Sequence, residues 1–262
     1  MCTLFPLVLV AKKEYLESLQ KGNLYMKNCL CYQGIDGCDI QRGDKYDGAV
    51  KCGYEGYGIP DSLQKTVSNP RLMELDNYIK CFYHYGERDV KASSISCVQF
   101  AISYESQNVL QEFNEEYALV ISDVAELIRR FCDACEKMNL RYSYGDVDYI
   151  TEDEYERYER LLKSAIHEKV PNVGIKNPVF VKRNLFKNQQ EFRLCVKYKQ
   201  GITDGTIIEE AKTIDIGNIK DISIIVKLHD ICKYPIIMDY EKEMCYVVES
   251  NEKGEENDRK EG

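Results

Sequence analysis

The stretch Phe186–Tyr198, FKNQQEFRLCVKY, decides how the chain is read. Phe192, Leu194, Val196 and Tyr198 alternate with polar residues, and the side-chain period of a β-strand is two. One face would then be apolar, and the other would carry Gln189, Glu191 and Arg193 in a row. An amide, a carboxylate and a guanidinium so arranged either line a site or form a solvated sheet face, and the sequence leaves both open.

Working outward, PVFVK, TIIEEAKTIDIG, ISIIVKL and MCYVVES predict further strands joined by short turns, an antiparallel-looking meander that fills the last third of the chain. At the other end, LFPLVLVA predicts a short buried strand, KKEYLESLQKG a helix closed by Gly22, and NLYMK a second strand. DNYIKCFYHY, SCVQFAI and YALVI read as strands and SQNVLQEFNEE as a short helix. Two longer helices carry capping boxes: Asp123 with Glu126 opens SDVAELIRRFCDACEKM, and Thr151 with Glu154 opens TEDEYERYERLLKSAIHEK, which Pro171 stops. RYSYGDVDYI between them alternates as a strand. The pattern predicts an α+β fold, a mixed or antiparallel sheet system with two main packed helices, in a single domain over residues 1–250. Residues 251–262, charged and without apolar anchors, are expected to be a disordered acidic tail.

The 262 residues include 44% hydrophobic and 30% charged side chains, the balance of a folded protein. The formal net charge of −9 has the wrong sign for a protein whose affinity comes from neutralising phosphates over its whole surface. Twenty tyrosines and no tryptophan supply many rings that pack on one side and hydrogen-bond on the other. The opening MCTLFPLVLVAKKEY lacks a basic n-region and a cleavage site, and no apolar run is long enough to span a bilayer, so a cytoplasmic protein without membrane contact is expected. The 12 cysteines then read as reduced thiols. Cys132 and Cys135 fall on one helix face, which suits core packing better than the two arms of a zinc knuckle; Cys29, Cys31 and Cys38 form the other close cluster.

Signatures such as GxGxxG, the P-loop, GxSxG and HExxH are absent, and three histidines make a His-rich metal site untenable. No metal ligand set is assigned. His84, within CFYHYGER, is the one embedded in aromatics and is a candidate general acid or base. From Asn28 to Tyr57 the chain is rich in Gly and Asp, with turn pairs at Asp36-Gly37 and Asp47-Gly48; a long loop of this kind is often functional. Glu191 in a closed pocket would stabilise positive charge developing on a sugar, with Gln189 beside it as donor and acceptor.

The Gln-x-Glu arrangement on a late strand, with the opening strand–helix–strand unit, is similar to the layout of ADP-ribosyltransferases. The resemblance implies NAD as substrate, Glu191 as the catalytic carboxylate, Gln189 as its companion, and Tyr25 on the NLYMK strand facing the nicotinamide. Arg42, Asp44, Asp47, His84 and Arg193 would complete the substrate site. That family's Arg or His on the first strand has no counterpart in FPLVLVA, and Lys12 or Arg42 would take its place. A second resemblance is to a large uncharacterised bacterial family, through Gly22, Leu24 and Tyr25, then Asp44, Asp47 and Gly48, then Glu191, Phe192 and Arg193. It implies an accessory protein of a mobile or defence element, such as a phage-defence effector acting on a protein or nucleic-acid target. Two other readings stay open: a non-catalytic sensing protein that uses the loop 28–57, and a Mg²⁺-dependent nuclease built on Asp44, Asp47 and Glu191.

Overall fold

The computed structural model describes residues 5–29, 77–94, 96–167, 176–198, 210–242 and 244–247. Arg42, Asp44, Asp47, Cys31, Cys38, the remainder of the loop expected to Tyr57 and the tail 251–262 lie outside them. The chain is α+β, as its pattern predicts.

The opening unit forms as read: strand β1 (Leu7–Val10), helix α1 (Lys13–Gln20) and strand β2 (Asn23–Asn28). Gly22 makes the turn at φ +105°, and a Cβ there would come within 2.6 Å of the Gly217 carbonyl oxygen, so both conformation and space demand glycine. The hub of the fold is β3 (Asn77–His84), fully paired along one edge with β10 (Glu191–Lys197) from Tyr83↔Glu191 to Asn77↔Lys197. Its other edge is shared: β2 takes the start, at Tyr78 and Ile79, and β1 takes the end, at Tyr83 and His84. Three arms grow from this hub. β1 continues into β6 (Tyr117–Ile121) and β12 (Ser223–Lys227), β2 into β11 (Ala211–Asp215), and β10 into β7 (Arg141–Asp146), giving an eight-stranded antiparallel sheet.

α1 and the longer α3 (Val124–Lys137) cover one face, where Leu16, Leu127 and Phe131 meet Leu24, Phe82, Phe192 and Leu194 with almost no exposure. Burying each such side chain is worth about 1.5–3 kcal/mol. On the opposite face lie α2 (Tyr104–Gln111), α5 (Leu228–Lys233) and a smaller sheet of β4 (Val90–Ser93), β5 (Cys97–Phe100), β13 (Ile236–Asp239) and β14 (Met244–Val247). Tyr83, Tyr85, Phe100, Val120 and Ile236 form the core there. Both expected caps are present. Asp123 accepts from the Glu126 N–H at 2.9 Å, and Thr151 and Glu154 cap α4 (Glu152–His167) reciprocally.

Three expectations are corrected. The last third is no meander: β10, β11 and β12 pair with β3, β2 and β6, and β13–β14 is the single hairpin among its described strands. The segment 186–198 is not one strand. A 3-10 helix runs Asn184–Gln189, Gln190 adopts the left-handed conformation (φ 41°, ψ 54°), and β10 begins only at Glu191, so Gln189 does not share its strand face. RYSYGDVDYI likewise breaks at Val147 into β7 and β8 (Asp148–Ile150), and β8 pairs in parallel with β9 (Val181–Arg183). No helix among the described residues is long and apolar enough to cross a membrane.

Candidate functional site

Where β3 ends, β10 begins and β7 ends, three strand termini leave a cleft of about 470 Å³, within the ~300–1,000 Å³ range of small-molecule sites. Phe5, His84, Arg88, Tyr149, Lys187 and Glu191 are among its lining residues. Its frame is hydrogen-bonded throughout. Asp89, wholly buried, accepts from the Gly86 N–H at 2.9 Å, from Gln190 Nε2 at 3.1 Å and from the Tyr83 hydroxyl at 3.3 Å. Gln190 also donates to the Tyr83 hydroxyl, and its carbonyl accepts the His84 N–H at 2.7 Å. Burial, with the Asp89 charge beside it, raises the Tyr83 phenol well above its ordinary value. These bonds hold Gln190 in a backbone conformation that a non-glycine residue rarely adopts.

Glu191 sits between two cations. Its Oε1 accepts from Lys182 Nζ at 2.5 Å and its Oε2 from Arg193 Nε at 2.7 Å. The Lys182 ammonium also donates to Gln189 Oε1 at 2.8 Å, and Arg193 Nη1 to the Val179 carbonyl at 2.6 Å. Gln189 and Glu191 are thus brought together after all, through Lys182 and not through strand alternation. Burial alone would raise the Glu191 carboxyl, but the Arg193 and Lys182 charges outweigh it and hold the group down to about 2. Arg193 is 0% exposed and serves as the anchor of Glu191, with no face toward the cleft. The parallel register pairs Tyr149 with Lys182, and the Tyr149 hydroxyl accepts the Glu191 N–H at 2.8 Å. Its own proton has no acceptor among the described residues. Burial first, then the Glu191 charge, raises this phenol far above its ordinary range.

His84 completes the cleft. Its Nδ1 lies 2.5 Å from Asp146 Oδ1, and a carboxylate can only accept, so the ring proton belongs on Nδ1 and Nε2 is the basic nitrogen of the neutral ring. Nε2 is buried without a partner among the described residues. The ring lies 6.5 Å from that of Phe5 and 5.6 Å, edge to face, from that of Phe192. An orphaned buried acceptor costs about 1–3 kcal/mol, and functional sites are where such costs are retained.

Of the residues expected in the site, Glu191 and His84 line the cleft, and Gln189 and Arg193 stand behind its wall around Lys182 and Glu191. Tyr25 does neither: it is 52% exposed on β2, opposite Thr213, and β2 joins β3 at the end remote from the cleft. The sequence reading missed Lys182, Asp146, Tyr149 and Arg88, which no short spacing ties to Glu191. Elsewhere, Lys80 faces the α1/α3 side with Leu194 as its cross-strand partner, and burial lowers its ammonium to about 8. Cys135 packs in the core of α3 with its thiol pushed up to about 12 by burial.

No protein family, curated protein or solved structure matches the chain.

Proposed function

We propose that the protein is an enzyme whose reaction centre is this cleft, with His84 as the proton carrier and Asp146 as the residue that fixes its tautomer. The observation that carries the reading is the state of one ring: Nδ1 engaged by a carboxylate, Nε2 unpartnered, in the wall of a cleft of ligand size. In the reaction, Nε2 takes the proton of a water or acceptor hydroxyl as its oxygen attacks the substrate. Asp146 stabilises the imidazolium until the proton is passed to the leaving group or to solvent. Nε2 is itself buried, so access to it requires a movement of the cleft wall.

NAD cleavage at the glycosidic bond, the reaction expected from the Gln-x-Glu resemblance, is the first specific form of this proposal, because Glu191 lines the same cleft. Water oxygen would bond to the ribose C1′, the bond to the pyridinium nitrogen would break, nicotinamide would leave neutral, and the water proton would go to His84. Both Glu191 oxygens are already committed to cations, so its charge is spent on Lys182 and Arg193 before any sugar cation develops. Proton transfer at His84 therefore carries more of the reaction than Glu191 does.

Nicotinamide release, and hydrolysis of a panel of nucleotide and phosphodiester substrates, should be compared for the wild type and His84→Gln, with circular dichroism as the folding control. Loss of turnover in a folded His84→Gln protein supports the reading. Wild-type turnover in that variant, or no turnover of any substrate by the wild type, counts against it.

A further inference from the structure

We propose that the cleft takes a nucleoside phosphate, with Arg88, Lys187 and the Tyr149 hydroxyl gripping the phosphate and the aromatic walls receiving the base. The inference rests on the reading of this cleft as the reaction centre and names the substrate class that it accepts.

Arg88 spends one N–H on Ser106 Oγ at 3.1 Å, and Ser106 in turn donates to the Asn188 carbonyl at 3.0 Å. That relay fixes the guanidinium against the 3-10 turn that bears Lys187, so the two cations reach the cleft from one stitched corner. The rest of the Arg88 fork has no partner, and the Lys187 ammonium has no ion pair among the described residues. The Tyr149 hydroxyl has a proton to give, and burial keeps it protonated. Arg88, Lys187 and Tyr149 are thus uncommitted donors of the cleft, beside the unpartnered Tyr85 hydroxyl, while its acceptors are His84 Nε2 and the Asp146 carboxylate that His84 engages. Three unused donors on two cations and a phenol match the oxygens of a phosphate, which an arginine fork meets in bidentate fashion.

Charge around the cleft points the same way: behind its wall, Lys182 and Arg193 both pair with Glu191 in a poorly screened interior. Of the charged side chains that line the cleft, Glu191 is held by Lys182 and Arg193 and Asp146 by His84, which leaves Arg88 and Lys187 as the cations facing the space in a chain whose net charge is −9. A cationic pocket on an acidic surface selects a small anion and discourages a polyanion. The remaining walls, Phe5, Tyr85, Val147 and the Tyr149 ring, are apolar or aromatic and suit a flat heterocycle.

The test is titration calorimetry at low salt with inorganic phosphate, adenosine and adenosine 5′-monophosphate, on the wild type, Lys187→Glu, Arg88→Ala/Lys187→Ala and His84→Gln. The monophosphate should bind at least tenfold more tightly than adenosine. Lys187→Glu, an exposed site with no partner to lose, should weaken the monophosphate at least tenfold and leave adenosine unchanged, and the double variant should weaken it further. Equal affinity for adenosine and its monophosphate, or full affinity in Lys187→Glu, overturns the phosphate grip. So does binding of a 5′-phosphorylated oligonucleotide with no binding of the free monophosphate. Turnover that survives in His84→Gln while the binding pattern holds removes the proton-transfer reading and leaves the grip standing.

Discussion

Replacing Glu191 by Gln keeps the side-chain shape and removes the charge that two buried cations share. Lys182 and Arg193 are 5% and 0% exposed, so neither recovers hydration when its partner is neutralised. Removing one member of a buried ion cluster costs about 3–5 kcal/mol. The same two cations hold the carboxyl below its ordinary value in the folded chain, so its ionised form contributes stability at neutral pH. The sign follows from the lowered value. This stability is complete above the carboxyl's unfolded value of 4.5 and is lost as the pH falls toward 2. Lys182→Met should cost less, about 1–3 kcal/mol, since it removes one donor from Glu191 and one from the buried Gln189 carbonyl and leaves the Glu191 charge on Arg193. Urea unfolding at pH 7 reads both, provided the slope with denaturant is unchanged. If Glu191→Gln costs less than about 1 kcal/mol, or Lys182→Met costs as much as Glu191→Gln, the shared-carboxylate account is refuted. A pH series adds a further check, because Glu191→Gln should remove part of the acid sensitivity below pH 4.5.

Lys80→Met should stabilise the protein by about 1–3 kcal/mol at pH 7, since burial lowers the ammonium to about 8 from 10.5. The wild type should gain stability as pH rises from 8 to 10.5, where only the unfolded chain keeps the proton, and Lys80→Met should lack that rise in thermal melts. Gly22→Ala should cost at least about 2 kcal/mol, because strain at positive φ adds to a Cβ clash with a backbone carbonyl; a near-neutral melting temperature would contradict the geometry. Asp89→Asn replaces one acceptor oxygen by a donor where Gly86, Gln190 and Tyr83 all donate, so it should lower stability by about 1–3 kcal/mol and weaken ligand binding at the cleft. Unchanged stability and binding in that variant would show that the frame around Gln190 does not depend on Asp89.

The elements that were legible are those set by local chemistry. α3 and α4 announce themselves by capping residues and 3.6-residue periodicity, and α1 by its closing glycine. What local pattern cannot carry is partnership. β10 has the same alternation whether it neighbours β9 and β11 or, as found, β3 and β7. The alternation of Gln189 with Glu191 also misled, because it continues through a 3-10 turn whose period is three. The candidate site shows the same division. Glu191 and His84 were suggested by their neighbours in sequence, whereas Asp146 reaches His84 across 62 positions and only the sheet brings them together.

The hub at β3 has a consequence for how the chain is made. Its full-length neighbour β10 lies more than a hundred residues downstream, and β6 and β2 wait for β12 and β11 further still. During synthesis, β3 and β7 both emerge before the strand that fills the space between them, and loop closure over such separations is slow. Until Lys197 leaves the ribosome these strands present open edges, the templates on which chains pair with the wrong partner. A fragment that stops before Glu191 should therefore not be a smaller folded protein. It should be an aggregation-prone one that becomes soluble when the remaining chain is supplied.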